Sequence, residues 1–215
     1  MEKAVLLFAT GNAAKLRQLI YVAGQLGASL RVISARARYG DAARYAEVGA
    51  DAAEIAARGA QEVARRLGLA AAVEDTTFHV DALDGAPGVY AGRYLREHGR
   101  TGILKALDGC PDRRARIISA AARAEPHGEP QVWVHTVAGY VAEAERWQPG
   151  LPDWIAPTPD NPMGGGYNAI FVPDGLDRTL AEIPPAEAIS LGYREPVFSA
   201  LIRFVLQQAQ GLSLA

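Results

Sequence analysis

Val5-Leu6-Leu7-Phe8-Ala9-Thr10-Gly11-Asn12-Ala13-Ala14-Lys15 is the stretch on which the reading of this chain turns. The apolar run predicts a short buried strand, Thr-Gly-Asn breaks it, and Leu16, Leu19, Ile20 and Ala23 then recur at helical spacing. A strand handed through a tight loop to a helix opens an α/β fold. The start of such a helix presents unpaired backbone N–H groups and the positive end of its dipole. Gly11 lets a ligand approach the backbone and Lys15 adds a cation, so the group suits phosphate oxygens. A plainer reading has Thr10 and Asn12 capping the helix with Lys15 in solvent. The pattern is not a Walker loop, which has more glycine and a Lys-Ser/Thr pair.

Outward from this stretch, strands and helices alternate. Residues 30–34 predict a second strand, and residues 51–67 an alanine-rich helix with Ile55, Ala56, Gly59, Ala60 and Val63 on one face, ended by Gly68. Residues 70–80 predict a buried strand that carries Glu74, Asp75 and Thr76. A helix over 98–107, a hairpin of strands 116–123 and 131–143, a strand at 169–173 and a helix over 195–210 complete the pattern. Between 146 and 162 lie five prolines with Trp147 and Trp154, which predicts a long irregular loop. The whole reads as an α/β fold, with the hairpin in a second lobe at about residues 110–160 of a single domain over 1–215.

Composition narrows the function. A formal charge of −2 over 215 residues gives no basic field for a nucleic acid polymer, and a small anionic ligand fits better. Cys110 is the single cysteine, so neither an internal disulfide nor a cysteine pair for zinc is available. No stretch predicts a membrane span or a signal peptide, and the expected compartment is the cytoplasm. The four histidines show no metal-ligand spacing, and His79 and His135 read as packed or edge residues.

Two further groups carry chemistry. Glu47, Glu54, Glu74 and Asp75 lie on segments that could converge at one sheet edge, where a divalent cation, magnesium by preference, would hold them beside phosphates. Singly, each carboxylate reads as a surface group. Gly164-Gly165-Gly166-Tyr167-Asn168 could shape a base pocket from an aromatic ring and an amide, or simply feed a buried strand with Tyr167 in the core.

Taken together these motifs resemble the inosine/xanthosine triphosphate pyrophosphatases, the Ham1 family, and are most similar to its archaeal members. The resemblance rests on Phe8-Ala9-Thr10-Gly11-Asn12 with Lys15, Glu47 and Glu54, Val73-Glu74-Asp75-Thr76, residues 80–90 and Gly166-Tyr167 before Ile170-Phe171-Val172-Pro173. It implies a two-lobed fold with a central mixed sheet, flanking helices and a long cleft, a homodimer, and magnesium-dependent cleavage of nucleoside triphosphates between the α and β phosphates. The implied substrates are ITP, dITP and XTP.

By the same resemblance Lys15 and Asp75 are catalytic, and Glu47, Glu74 and Asp75 hold the metal. Thr10, Gly11, Asn12, Lys15, Thr76, Tyr167, Asn168, Tyr193 and Arg194 bind substrate. The base end departs from the family. Its Phe-Gly-Tyr-Asp appears here as Gly165-Gly166-Tyr167-Asn168, and its Ser-His-Arg as Gly192-Tyr193-Arg194. An altered or broad base specificity is therefore one alternative, and a nucleotide-binding regulatory protein without turnover is another. The 146–162 loop reads as a surface or dimer-contact loop, or as a cover whose Trp147 or Trp154 supplies a stacking surface.

Overall fold

The computed structural model describes residues 3–212. Its elements follow in chain order as β1 (Ala4–Phe8), α1 (Ala13–Gln25), β2 (Leu30–Ser34), α2 (Ala35–Tyr39), α3 (Ala52–Leu67), β3 (Ala71–Val80), β4 (Pro87–Gly88), α4 (Ala91–Ala106), β5 (Arg114–Ala124), β6 (Gln131–Val141), β7 (Phe171–Pro173), α5 (Pro185–Leu191) and α6 (Glu195–Leu212). Seven strands form one mixed sheet in the order β2-β1-β3-β5-β6-β7, with β4 paired to β3. β1 runs parallel to β2 and to β3, whereas β4 is antiparallel to β3 and β7 to β6.

Contacts divide the chain into two units. One holds the residues up to Asp75, Ser119–His135 and the segment from Arg194 onward; the other holds Thr76–Ile118 and Thr136–Tyr193. In the first, Leu6 to Ala9 are buried, as the opening apolar run requires, and α6 packs on both β1 and α1. Phe8 and Phe198 meet edge to face at 5.8 Å, the geometry that sets one ring's positive edge against the other's negative face. In the second, Phe78 stacks on Tyr167 at 4.4 Å and meets Phe171 edge-on at 6.1 Å. Each fully buried ring or aliphatic side chain contributes roughly 1.5–3 kcal/mol of transfer free energy.

Local chemistry explains the helix ends. Asp51 caps α3 by accepting from the Glu54 backbone N–H at 2.8 Å, and Gly68 closes it. Residues Ile55, Ala56, Gly59, Ala60 and Val63 are all buried, as their spacing predicts. The helix expected over 98–107 begins earlier, at Ala91, and is broken at Gly99, whose φ of 62° and ψ of −173° leave the helical region. The first half of α4 gives little signal to a periodicity reading, because Gly92, Arg93, Arg96, Glu97 and His98 are exposed and Ala91 is its one buried residue. α2 and α5 are too short, at 5 and 7 residues, to show a period at all. The 146–162 loop carries no helix or named strand, and its Trp154, Ile155 and Ala156 are nevertheless buried.

Candidate active site

The loop between β1 and α1 carries the capping that its sequence predicts. Thr10 is buried and its hydroxyl accepts from the Asn12 N–H at 3.0 Å. Asn12 is the N-cap of α1, its Oδ1 accepting from the Ala14 and Lys15 N–H groups at 2.9 and 3.3 Å. These side chains therefore shape the loop from within. Gly11 lies exposed, and nothing stands within 4 Å of where a Cβ would project. Lys15 does not lie in solvent. Its ammonium pairs with Glu74 Oε2 at 2.9 Å and donates to the Glu74 carbonyl at 3.0 Å, with 15 % of the side chain exposed.

Glu74 is the hub of this region. It has no exposed surface, and on β3 it receives Lys15 from α1, Arg194 Nε at 3.3 Å from the start of α6, and the Ser119 hydroxyl at 2.7 Å from β5. A buried carboxylate needs opposite charges and hydrogen bonds to remain ionised, and here two cations and a hydroxyl supply them. Beyond Arg194 the network continues. Arg194 Nη1 donates to Gln18 Oε1 at 3.2 Å, and Gln18 Nε2 donates to Glu195 Oε1 at 2.6 Å. Glu195 is 2 % exposed, and burial pushes its carboxyl above the usual range.

Asp75 follows Glu74 on β3 and is buried. Glu47 is exposed on the segment between α2 and α3. Burial first, then the charges of Glu47, Asp75 and Glu74, push the phenol of Tyr45 well above the ordinary tyrosine range. Its ring packs so closely on α3 that a Cβ at Gly59 would lie 2.6 Å from it. Glu54 stands apart from this group. Its carboxylate accepts from the Ala50 N–H at 2.8 Å and pairs with Arg58 at 3.2 Å, so it secures the start of α3.

The other expected substrate-binding residues, Thr76, Tyr167, Asn168 and Tyr193, lie in the second unit. Thr76 is half-buried on β3, and Tyr193 is buried. Tyr167 is 7 % exposed, stacks on Phe78 and donates its hydroxyl to the Ala91 carbonyl at 2.9 Å, which is the behaviour of a core tyrosine. Burial pushes its phenol upward too. Asn168 is 6 % exposed and donates Nδ2–H to the Ile155 carbonyl at 3.0 Å. Among the histidines, His79 bonds to the Thr77 hydroxyl at 2.9 Å, and burial lowers its pKa.

Gln18, Ser119, Glu195 and Tyr45 went unnoticed in the sequence. A signal existed for two of them: Gln18 stands one helical turn after Lys15, on the same face, and Glu195 follows Arg194 directly. Ser119 had none, since only the pairing of strands brings it to Glu74.

Comparison with known proteins identifies the family. The model of the Ham1 family matches residues 6–204. The chain is 33 % identical over 199 residues to a dITP/XTP pyrophosphatase of Methanopyrus kandleri, covering 92 % of this chain and 93 % of the relative. A protein of that description from Mycobacteroides abscessus is 35 % identical over 208 residues, 92 % of each chain. Among solved structures, the Staphylococcus aureus Ham1 protein superposes with a TM-score of 0.74 over 95 % of this chain and 99 % of its own; at 23 % identity it speaks for the fold alone. The nucleoside-triphosphatase, or dITP/XTP pyrophosphatase, from Mycobacterium abscessus matches at 30 % identity with a TM-score of 0.67, covering 92 % and 97 %. With a mixed sheet of the same architecture and a family match over nearly its whole length, this chain belongs to the Ham1 family.

Proposed function

We propose that this protein hydrolyses non-standard purine nucleoside triphosphates, ITP, dITP and XTP, to the monophosphate and pyrophosphate. The observation that carries the reading is the Lys15–Glu74–Arg194 cluster beside Asp75 at the phosphate-type loop of β1 and α1. Glu74 holds two cations in fixed positions, an arrangement suited to an anion with several charges. The dITP/XTP pyrophosphatases among its relatives support the same substrates.

In this reading the exposed backbone at Gly11 and the Lys15 ammonium bind phosphate oxygens, with Thr10 and Asn12 holding the loop in shape. Asp75 takes a proton from the attacking water; the new bond forms to the α phosphorus as the α–β bridge bond breaks, and Lys15 stabilises the charge that collects on the departing pyrophosphate. Glu74 serves as counter-ion to Lys15 and Arg194 in preference to holding metal, because its oxygens are committed to those side chains and to Ser119.

A divalent cation fits the remaining donors. Glu47 and Asp75 offer hard carboxylate oxygens, the donor type that magnesium takes. Among the described residues no three His, Cys, Asp or Glu side chains gather as a ready metal cage. That suits magnesium, which typically takes one or two carboxylates, the substrate's phosphates and water. When bound it supplies Lewis-acid stabilisation and orientation of the triphosphate.

We place the reaction in the cytoplasm and the protein in a homodimer. Among the described residues no helix is long and apolar enough to cross a membrane, and Val132 and Val134 expose apolar surface on β6. Pyrophosphate release from a panel of nucleoside triphosphates tests the substrate: ITP and XTP well above ATP and GTP supports it. Equal turnover of all four would instead favour broad specificity, for which the departures at Gly165, Asn168 and Tyr193 are the reason. Tight binding without metal-stimulated turnover would favour a regulatory protein.

A further inference from the structure

Arg100 lies in the second unit, immediately after the break in α4 at Gly99. Its side chain is 2 % exposed. Nε donates to Glu145 at 2.7 Å, Nη2 to the Pro162 carbonyl at 2.7 Å, and Nη1 to the Gly166 carbonyl at 2.8 Å and that of Gly164 at 3.5 Å. A guanidinium stays charged when buried, so enclosing one is costly, and an apolar side chain would fill the space more cheaply. What the planar fork adds is the fixed position of several peptide groups at once. Those groups belong to the segment that leads directly into Tyr167 and Asn168.

The same segment is interlocked with the proline-rich loop. Gly165 N–H donates to the Asp153 carbonyl at 2.7 Å, and Asn168 Nδ2–H to that of Ile155. Gly165 has a φ of 70°, and a Cβ there would stand 2.1 Å from the Ile155 oxygen, so no side chain fits. Because a carbonyl only accepts, the Ile155 oxygen fixes which end of the Asn168 amide faces it. Asn168 Oδ1 remains as a buried acceptor with no hydrogen-bond partner among the described residues. Hypoxanthine and xanthine carry a hydrogen on N1, a donor for such an oxygen, whereas adenine presents a lone pair there.

We infer that Arg100 is a positioning residue for base discrimination: by fixing the carbonyls of residues 162–166 it holds Asn168 so that its oxygen, and not its NH₂ group, is offered to the purine. This rests on the proposed function, in which the substrate is a 6-oxopurine triphosphate. The amide thereby acts as an acceptor, and the loop sets that polarity.

Arg100→Met and Arg100→Lys test this with ITP and ATP. Arg100→Met should lower the ratio of kcat/KM for ITP over ATP by about tenfold or more, while kcat for ITP falls less than about threefold, since the Lys15 and Asp75 region is untouched. Arg100→Lys, which keeps a cation able to reach part of the carbonyl set, should recover part of the ratio. A lowered Tm with an unchanged ratio in both variants, or an equal loss on both nucleotides, would overturn the inference. Should Arg100→Met fail to fold, the ratio in Arg100→Lys and in Glu145→Gln decides the matter by the same criterion. Wild-type protein that releases no pyrophosphate from ITP removes the functional reading itself; a selective wild type beside an equally selective Arg100→Met removes this inference alone.

Discussion

The region around Glu74 and the region around Arg100 each enclose one charged side chain and surround it with opposite partners, but they do so by different means. Glu74 is met by side chains, Lys15, Arg194 and Ser119, brought from three separate segments. Arg100 is met chiefly by backbone carbonyls of one continuous glycine-containing segment. A charge held by side chains can trade partners when an anion arrives, whereas a charge held by backbone can only keep a shape. The first suits chemistry on phosphates, the second recognition of a rigid base.

The sharpest way to break this contrast is at Asp75. Asp75→Asn should cost about 10²–10⁴ in kcat with Tm and base preference retained, measured by steady-state pyrophosphate release. Retention of most activity would remove the proton acceptor from the mechanism. Lys15→Met should cost somewhat less, about 10²–10³ in kcat/KM, equally for every base, because in the proposed reading the lysine acts on the phosphates and not on the base. A change in the ITP to ATP ratio in that variant would blur the division between the two regions.

Acidity sharpens the first region alone. Burial raises the Glu195 carboxyl above its unfolded value, so the folded state binds the proton more tightly. The contribution of this group to stability is therefore fully present below the ordinary glutamate range and is lost as pH rises from there through the raised folded value. Glu195→Gln should flatten that part of the pH–Tm curve, and a curve of unchanged slope would mean the carboxyl does not titrate as its burial requires. The smallest effect is expected at Gly11→Ala. The fold has room for the methyl group, so Tm should stay within about 1–2 °C, while KM rises a few-fold if phosphate approaches the backbone there.

The same contrast explains what could be read before any coordinates. The strand, loop and helix at the amino-terminal end, the buried face of α3 and the strand bearing Glu74 and Asp75 were legible, because each is set by local periodicity and by the residue types themselves. Lys15, Glu47, Asp75 and Arg194 belong to motifs that suggest the chemistry proposed for them. Arg100 does not: it follows a glycine in an ordinary helical stretch, and its meaning depends on carbonyls more than 60 residues away. Backbone acceptors carry no mark in a sequence, since every residue has one. Tyr167 illustrates the converse, an aromatic in a suggestive motif whose hydroxyl and ring are used by the core.

The most direct test of the central claim is the identity of the products. Phosphorus NMR of ITP incubated with the protein and magnesium should show inosine monophosphate and pyrophosphate appearing together in equal amounts. Inosine diphosphate with orthophosphate, or unchanged ITP, would contradict a water attack on the α phosphorus beside Asp75 and Lys15.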